Sequence, residues 1–270
     1  ADHEEADLSD WEDAGTDNYY AGGGIFLTPD SGAPEAEARV VTAADGCTPH
    51  SGKYAVAARI NGAVRGENGN RAVRLMRWTD RAWNEDGTYF PNDAYYSVWM
   101  CLPQRYSPEK SAPWDPGDGG WWNVFQFKSD NNAGSQPIAV INLWWDDQQN
   151  EMNFYLDIKE YPNTNSDEHT ITTYDQPTPR PIPIGEWFHL EARYVKSTAG
   201  DGSITVWQDG HEIFSVSAIT TAFSDQVAWG IGSYTDHIQA VTADGSPTGT
   251  VGSAVVYFDD AAVAEVRLGP

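Results

Sequence analysis

In the stretch GGWWNVFQFKSD, residues 119–130, Trp122, Gln126 and Lys128 share one parity and Phe125 and Phe127 share the other. Successive side chains of a strand point to opposite faces. The pattern therefore predicts two phenylalanines in a core, with an indole, an amide and an ammonium on a surface. The same sorting turns Asn142 and Trp144 outward in 138–145. In 151–158 it turns Asn153, Tyr155 and Asp157 outward and Met152, Phe154, Leu156 and Ile158 inward. Aromatic rings stack on sugar faces, and amides bond sugar hydroxyls. A carbohydrate-binding face is the reading these residues favour. A plain solvated sheet face is the alternative, although such faces rarely gather several large aromatics.

The elements that must position these residues are strands. Period-two alternation recurs over 53–60, 71–78, 94–102, 121–128, 138–145, 151–158, 187–195, 203–208, 227–234, 253–259 and 261–268. Helical periodicity is nearly absent. Asp-Gly pairs at 86–87, 201–202, 209–210 and 244–245 supply turns. The Pro-rich run 177–183 is an extended connection, because the strand pattern resumes after it. Many strands without alternating helices predict an all-β fold of two stacked antiparallel sheets, in one domain spanning 1–270.

Forty acidic residues against sixteen basic ones give a net charge of −24. That balance argues against a nucleic-acid partner, and any anion site must be a local basic patch. No apolar run approaches the roughly 20 residues of a membrane span. Cys47 and Cys101 allow one disulfide or two buried thiols, and their spacing does not decide between them. The start ADHEEADLSDW, the twelve tryptophans and the scarcity of lysine suggest an exported, carbohydrate-handling protein whose signal peptide has been removed. A monomer is expected.

The opening EEADLSDW, the segment HSGKYAV (50–56) and the tail VYFDDAAVAEV (256–266) resemble concanavalin A-like jelly-roll domains. So does EWFHLEARYV followed by GSITVWQDGHEIF. The narrower resemblance is to jelly-roll polysaccharide lyases of the heparin lyase I and glucuronan lyase kind, with alginate lyases more distant. WWNVFQFK resembles the strand carrying their active-site glutamine, here Gln126. RAVRLMRW resembles their arginine strand, here Arg71, Arg74 and Arg77. WGIGSYTDHI resembles the strand ending in their catalytic tyrosine, here Tyr234. Gly230 stands where several of these lyases carry a lysine, and Lys128 where alginate lyases carry a histidine.

The resemblance implies a β-jelly roll that cleaves an acidic, uronate-containing polysaccharide by β-elimination. In that chemistry the C6 carboxylate must be neutralised, a base takes the C5 proton, and an acid protonates the leaving oxygen. Gln126 offers two amide donors and Lys128 adds charge. Arg77 or Arg71 could hold a carboxylate bidentately, and Arg74 would bind substrate. A phenol has an ordinary pKa near 10 and becomes a usable base beside cations, which suits Tyr234. His50 and His237 are the candidate second bases. Related jelly rolls hold a structural calcium near their chain ends, which points to Glu5, Asp7 and Asp260 as oxygen ligands.

A jelly-roll hydrolase needs facing carboxylates, spaced Glu-x-Asp-x-x-Glu along one strand, and no strand carries them. Glu186 and Glu191 have opposite parity. Glu151 and Asp157 share parity but stand roughly 20 Å apart on an extended strand. The competing readings are a non-catalytic, lectin-like carbohydrate-binding jelly roll and a calcium-using adhesion module.

Overall fold

Alternating apolar residues build the sandwich, because each such strand has one face to bury. The computed structural model describes residues 1–11, 23–28, 35–43, 46–64, 70–78, 89–108, 120–131, 134–146, 148–162 and 168–270. Among them the strands are β1 (Gly23–Thr28), β2 (Ala36–Val41), β3 (Ala55–Ile60), β4 (Arg71–Arg77), β5 (Asp93–Cys101), β6 (Arg105–Ser107), β7 (Trp122–Asn131), β8 (Gly134–Asp146), β9 (Glu151–Glu160), β10 (Thr170–Asp175), β11 (Trp187–Val195), β12 (Gly202–Gln208), β13 (His211–Ile219), β14 (Val227–Thr235), β15 (Gln239–Val241), β16 (Pro247–Thr248) and β17 (Ala254–Ala264).

They form two seven-stranded antiparallel sheets, in the orders β1-β4-β14-β7-β8-β9-β10 and β13-β12-β11-β5-β17-β3-β2, with a small sheet β16-β15-β6 beside them. This is the jelly-roll sandwich that the alternation and the resemblance led us to expect. The sheets meet through aromatic rings. Phe127 of β7 stacks on Tyr194 of β11 with centroids 3.9 Å apart. It also meets Tyr96 of β5 edge-on at 4.9 Å. Burying one such ring contributes about 2–3 kcal/mol, before the pair geometry adds about 1 more.

Asp209 and Gly210, both left-handed with φ of 48° and 76°, join β12 to β13 as their Asp-Gly pairing predicts. The Asp86-Gly87 pair lies outside the described residues. The stretches 253–259 and 261–268, read as two strands, fall largely in one strand, β17, which ends at Ala264. It is broken by an irregularity against β5 between Asp259 and Ala262, where Asp260 takes a φ of 47°. Strands β1, β2 and β10 lack clean alternation and were not predicted. β10 is a sheet edge, largely exposed, with no apolar face to mark it.

Cys47 and Cys101 are disulfide-bonded. The bond packs with Val41, Ala57 and Tyr257 on the outer face of the second sheet, away from the core between the sheets.

Candidate active site

The site lies on the face of the first sheet that points away from the core. Strand register places side chains on that face in rows. One row runs Ala72, Tyr234, Asn123, Asn142, Tyr155 and Asp175 across β4, β14, β7, β8, β9 and β10. A second runs Met76, Gly230, Gln126, Val140, Asp157 and Thr173. Tyr234 and Gln126, far apart in the chain, therefore line one hollow of about 320 Å³ with Trp121, Asn123, Asn142, Asp157 and Lys159.

Tyr234 stands on the hollow's wall. Its hydroxyl accepts a hydrogen bond from Asn70 Nδ2 at 2.9 Å, and the Trp121 ring meets it edge-on at 4.7 Å. The Arg74 guanidinium carbon lies 5.2 Å from the Tyr234 ring centroid. Gln126 is buried on the floor, and its amide Nε2 approaches Met76 Sδ at 3.7 Å across β14. That reach depends on Gly230, which stands between them in register; a Cβ there would sit 2.0 Å from Met76 Sδ. Methionine sulfur thus fills the place where the resemblance anticipates a lysine.

Asn142 and Tyr155 occupy the expected face, as does Trp144, which is half-buried opposite Asn153. Asn142 Nδ2 donates to Asp157 Oδ2 at 3.1 Å, and Thr173 Oγ1 donates to Asp157 Oδ1 at 2.6 Å. Burial raises the Asp157 pKa above its ordinary value, against the lowering effects of Thr173, Lys159 and Asn142. Burial lowers the Lys159 pKa; Asp157 opposes this and Lys128 adds to it. Lys128 is itself buried on the same face, two residues beyond Gln126.

Several expected positions move. Trp122 belongs to the core. β7 carries a bulge against β8, with Asn123 opposite Asn142 and Phe125 opposite Ile141, so Val124 is the extra residue. Parity reverses there. Trp122 turns inward, meets Tyr106 edge-on at 5.2 Å and donates its Nε1–H to Ser233 Oγ at 3.0 Å. Asn123 takes the groove position instead.

Arg71 and Arg77 share the parity of Val73 and Leu75, which face the core, and so stand on the side away from Gln126. Arg77 Nη1 donates to the Asp10 carbonyl at 2.6 Å, beside a separate cavity of about 420 Å³ lined by Trp11, Phe90 and Trp229. Arg71 Nε donates to the Asn61 carbonyl at 3.2 Å, and its Nη2 lies 3.6 Å from Glu35. Arg74 is the arginine of β4 that reaches the hollow's side.

His50 is on the outer face of the other sheet. It stacks on Trp99 at 3.8 Å, with Nδ1 2.7 Å from Asp260 Oδ2. His237 is fully buried after β14, with Nδ1 2.6 Å from Asp236 Oδ1, and does not line the hollow.

The structure does not gather Glu5, Asp7 and Asp260 as a group of metal ligands among the described residues. Asp7 holds Ser9 through its backbone N and Oγ at 3.0 and 2.6 Å. Asp260 holds His50 and Ser51. Among the described residues no three His, Cys, Asp or Glu side chains gather as a metal group.

The residues missed are Asn70, Trp121, Asn123 and Lys159. Lys159 was within reach, because it continues the outward set of Tyr155 and Asp157. Asn123 was not, since nothing in the local sequence marks the bulge.

An endo-β-1,4-glucuronan lyase from the fungus Trichoderma reesei superposes with a TM-score of 0.57 at 16% identity, covering 88% of this chain and 92% of that one. An alginate lyase from Klebsiella pneumoniae gives 0.49 at 10% identity, covering 84% and 86%. One from Pseudomonas aeruginosa gives 0.45 at 11%, covering 78% and 82%. The first of these likenesses is one of fold. No curated protein sequence matches the chain. The model of the polysaccharide lyase family matches residues 48–262. The chain belongs to the polysaccharide lyase family.

Proposed function

We propose that this lyase cleaves a uronate-containing polysaccharide by β-elimination in the hollow between Tyr234 and Gln126. The observation that carries the reading is their convergence on one face, with the Arg74 guanidinium against the tyrosine ring. Gln126 donates amide hydrogens to the C6 carboxylate, where negative charge grows as C5 loses its proton. Arg74 supplies positive charge beside the phenol. The Tyr234 oxygen takes the C5 proton, the C4–O bond breaks as the C4–C5 double bond forms, and Tyr234 returns the proton to the leaving oxygen. With His50 and His237 elsewhere, one phenol serves both steps. Asn142, Trp144 and Tyr155 supply hydrogen bonds and stacking surface for neighbouring sugars.

Export is part of the same proposal. The Cys47–Cys101 disulfide supports an oxidising setting outside the cytosol.

The test is the ultraviolet absorbance of the unsaturated product with glucuronan, alginate and a glycosaminoglycan as substrates. We expect a rise with at least one uronan, and its abolition in Tyr234→Phe. Saturable binding without any rise would instead favour a carbohydrate-binding role.

A further inference from the structure

Tyr234 stands where its strand loses one neighbour. The register of β14 with β7 shifts between Ile231 and Tyr234, and the paired residues end with Tyr234 opposite Asn123. On the other edge β14 stays in step with β4 as far as Thr235, opposite Arg71. Pairing with β7 therefore does not reach Thr235. The ladder lapses beside a ring whose task, proton transfer, demands a fixed position.

A side chain takes over there. Thr235 is fully buried, on the opposite face of β14 from Tyr234. Its Oγ1 lies 2.6 Å from the carbonyl of Trp121, the residue just before β7, and 2.8 Å from the carbonyl of His237. A hydroxyl has one proton to donate, and the shorter contact is the one to Trp121. The Trp121 backbone is thus tied to β14 directly beside Tyr234. Its half-buried indole meets the Tyr234 ring edge-on, with centroids 4.7 Å apart. The phenol is then bounded by Trp121, by Asn70 at its oxygen and by Arg74 over its ring.

We infer that Thr235 is a positioning residue for the elimination: by holding the Trp121 carbonyl, its hydroxyl keeps the indole against Tyr234 and fixes where the phenol oxygen stands. Fully buried, Thr235 meets no substrate itself. The inference rests on the reading that Tyr234 transfers the proton; the anchor rests on the geometry of Thr235 and Trp121 alone.

The test pairs kinetics with a spectrum. Thr235→Val keeps the side chain's shape and removes its hydroxyl. Its kcat should fall about tenfold or more, the cost of a small misplacement of a reacting group, with KM within about twofold of wild type. Thr235→Ser, which keeps the hydroxyl, should recover most of kcat. Because Thr235 acts through Trp121, adding Thr235→Val to Trp121→Ala should lower kcat by less than about twofold more. In fluorotryptophan-labelled protein, the fluorine resonance that disappears in Trp121→Phe reports on this indole directly. It should shift or broaden in Thr235→Val and keep its wild-type position in Thr235→Ser. Thr235→Ala, which adds no bulk, replaces Thr235→Val if thermal unfolding shows that variant to melt early. An unmoved Trp121 resonance in the variants without the hydroxyl, equal kcat losses in Thr235→Val and Thr235→Ser, or additive losses in the double variant overturns the assignment. Absence of turnover on every polymer would remove the elimination reading, and the fluorine spectrum would still decide the anchor.

Discussion

The Arg74 guanidinium carbon and the Tyr234 ring centroid lie 5.2 Å apart on the groove face of the first sheet. Arg77, three residues along the same strand, faces the opposite way and binds the Asp10 carbonyl. Their variants should therefore diverge. Arg74→Ala should lower kcat/KM about 10²-fold, the scale of one electrostatic contact to the transition state, with little change in Tm. Arg77→Ala should lower Tm and leave kcat/KM within about threefold.

Two tryptophans that share a parity in sequence should behave differently. Trp122→Ala removes a buried indole and its bond to Ser233, and should cost about 3–5 kcal/mol in urea unfolding. Trp144→Ala removes a half-buried ring from the groove face. It should raise KM several-fold and shift the unfolding midpoint by less than about 1 kcal/mol. Equal stability losses in the two variants would contradict the bulge.

Tyr234→Phe deletes a hydroxyl whose described partner is Asn70. Initial rates should fall about 10²–10⁴-fold, the usual contribution of a proton-transferring group, while circular dichroism and Tm stay near wild type. Asn70→Ala keeps the phenol, so its loss should be about tenfold or less.

Asp157 gives a pH signature in stability. Its folded pKa is raised by burial from 3.8. A group raised on folding contributes stability that is fully present below the unfolded pKa and is lost as pH rises through the folded value. Urea unfolding followed upward from about pH 3 should show this loss set in at the ordinary carboxylate value and continue above it, and Asp157→Asn should lack it.

The disulfide closes a sequence separation of 54 residues, which corresponds to about 4 kcal/mol of loop entropy. Cys47→Ser with Cys101→Ser should lose stability on that scale. Because the bond packs on the outer face of the other sheet, kcat at a temperature well below Tm should stay near wild type.

The sandwich was legible because its central strands alternate cleanly. In β9, Met152, Phe154, Leu156 and Ile158 mark one face, and all four are buried in the core. Phe125, Gln126, Phe127 and Lys128 were sorted correctly for the same reason. β4 was harder. Ala72, Val73, Leu75 and Met76 are all buried, on both parities, so apolar pattern alone could not tell which arginines face the groove. Trp122 was misplaced by the bulge at Val124, a tertiary feature with no local signature. The distant meeting of Tyr234, Asn70 and Arg74 depends on sheet order, which no short stretch encodes.

Val124 also bears on how such a groove can change over generations. In-frame loss of that single codon would remove the residue β8 leaves unpaired, and Trp122 would stay inward and Asn123 outward, each opposite the β8 residue it meets now. The lining of this enzyme's cleft can thus survive a change of chain length at this point, with Asn123 still on the face of the Gln126 amide.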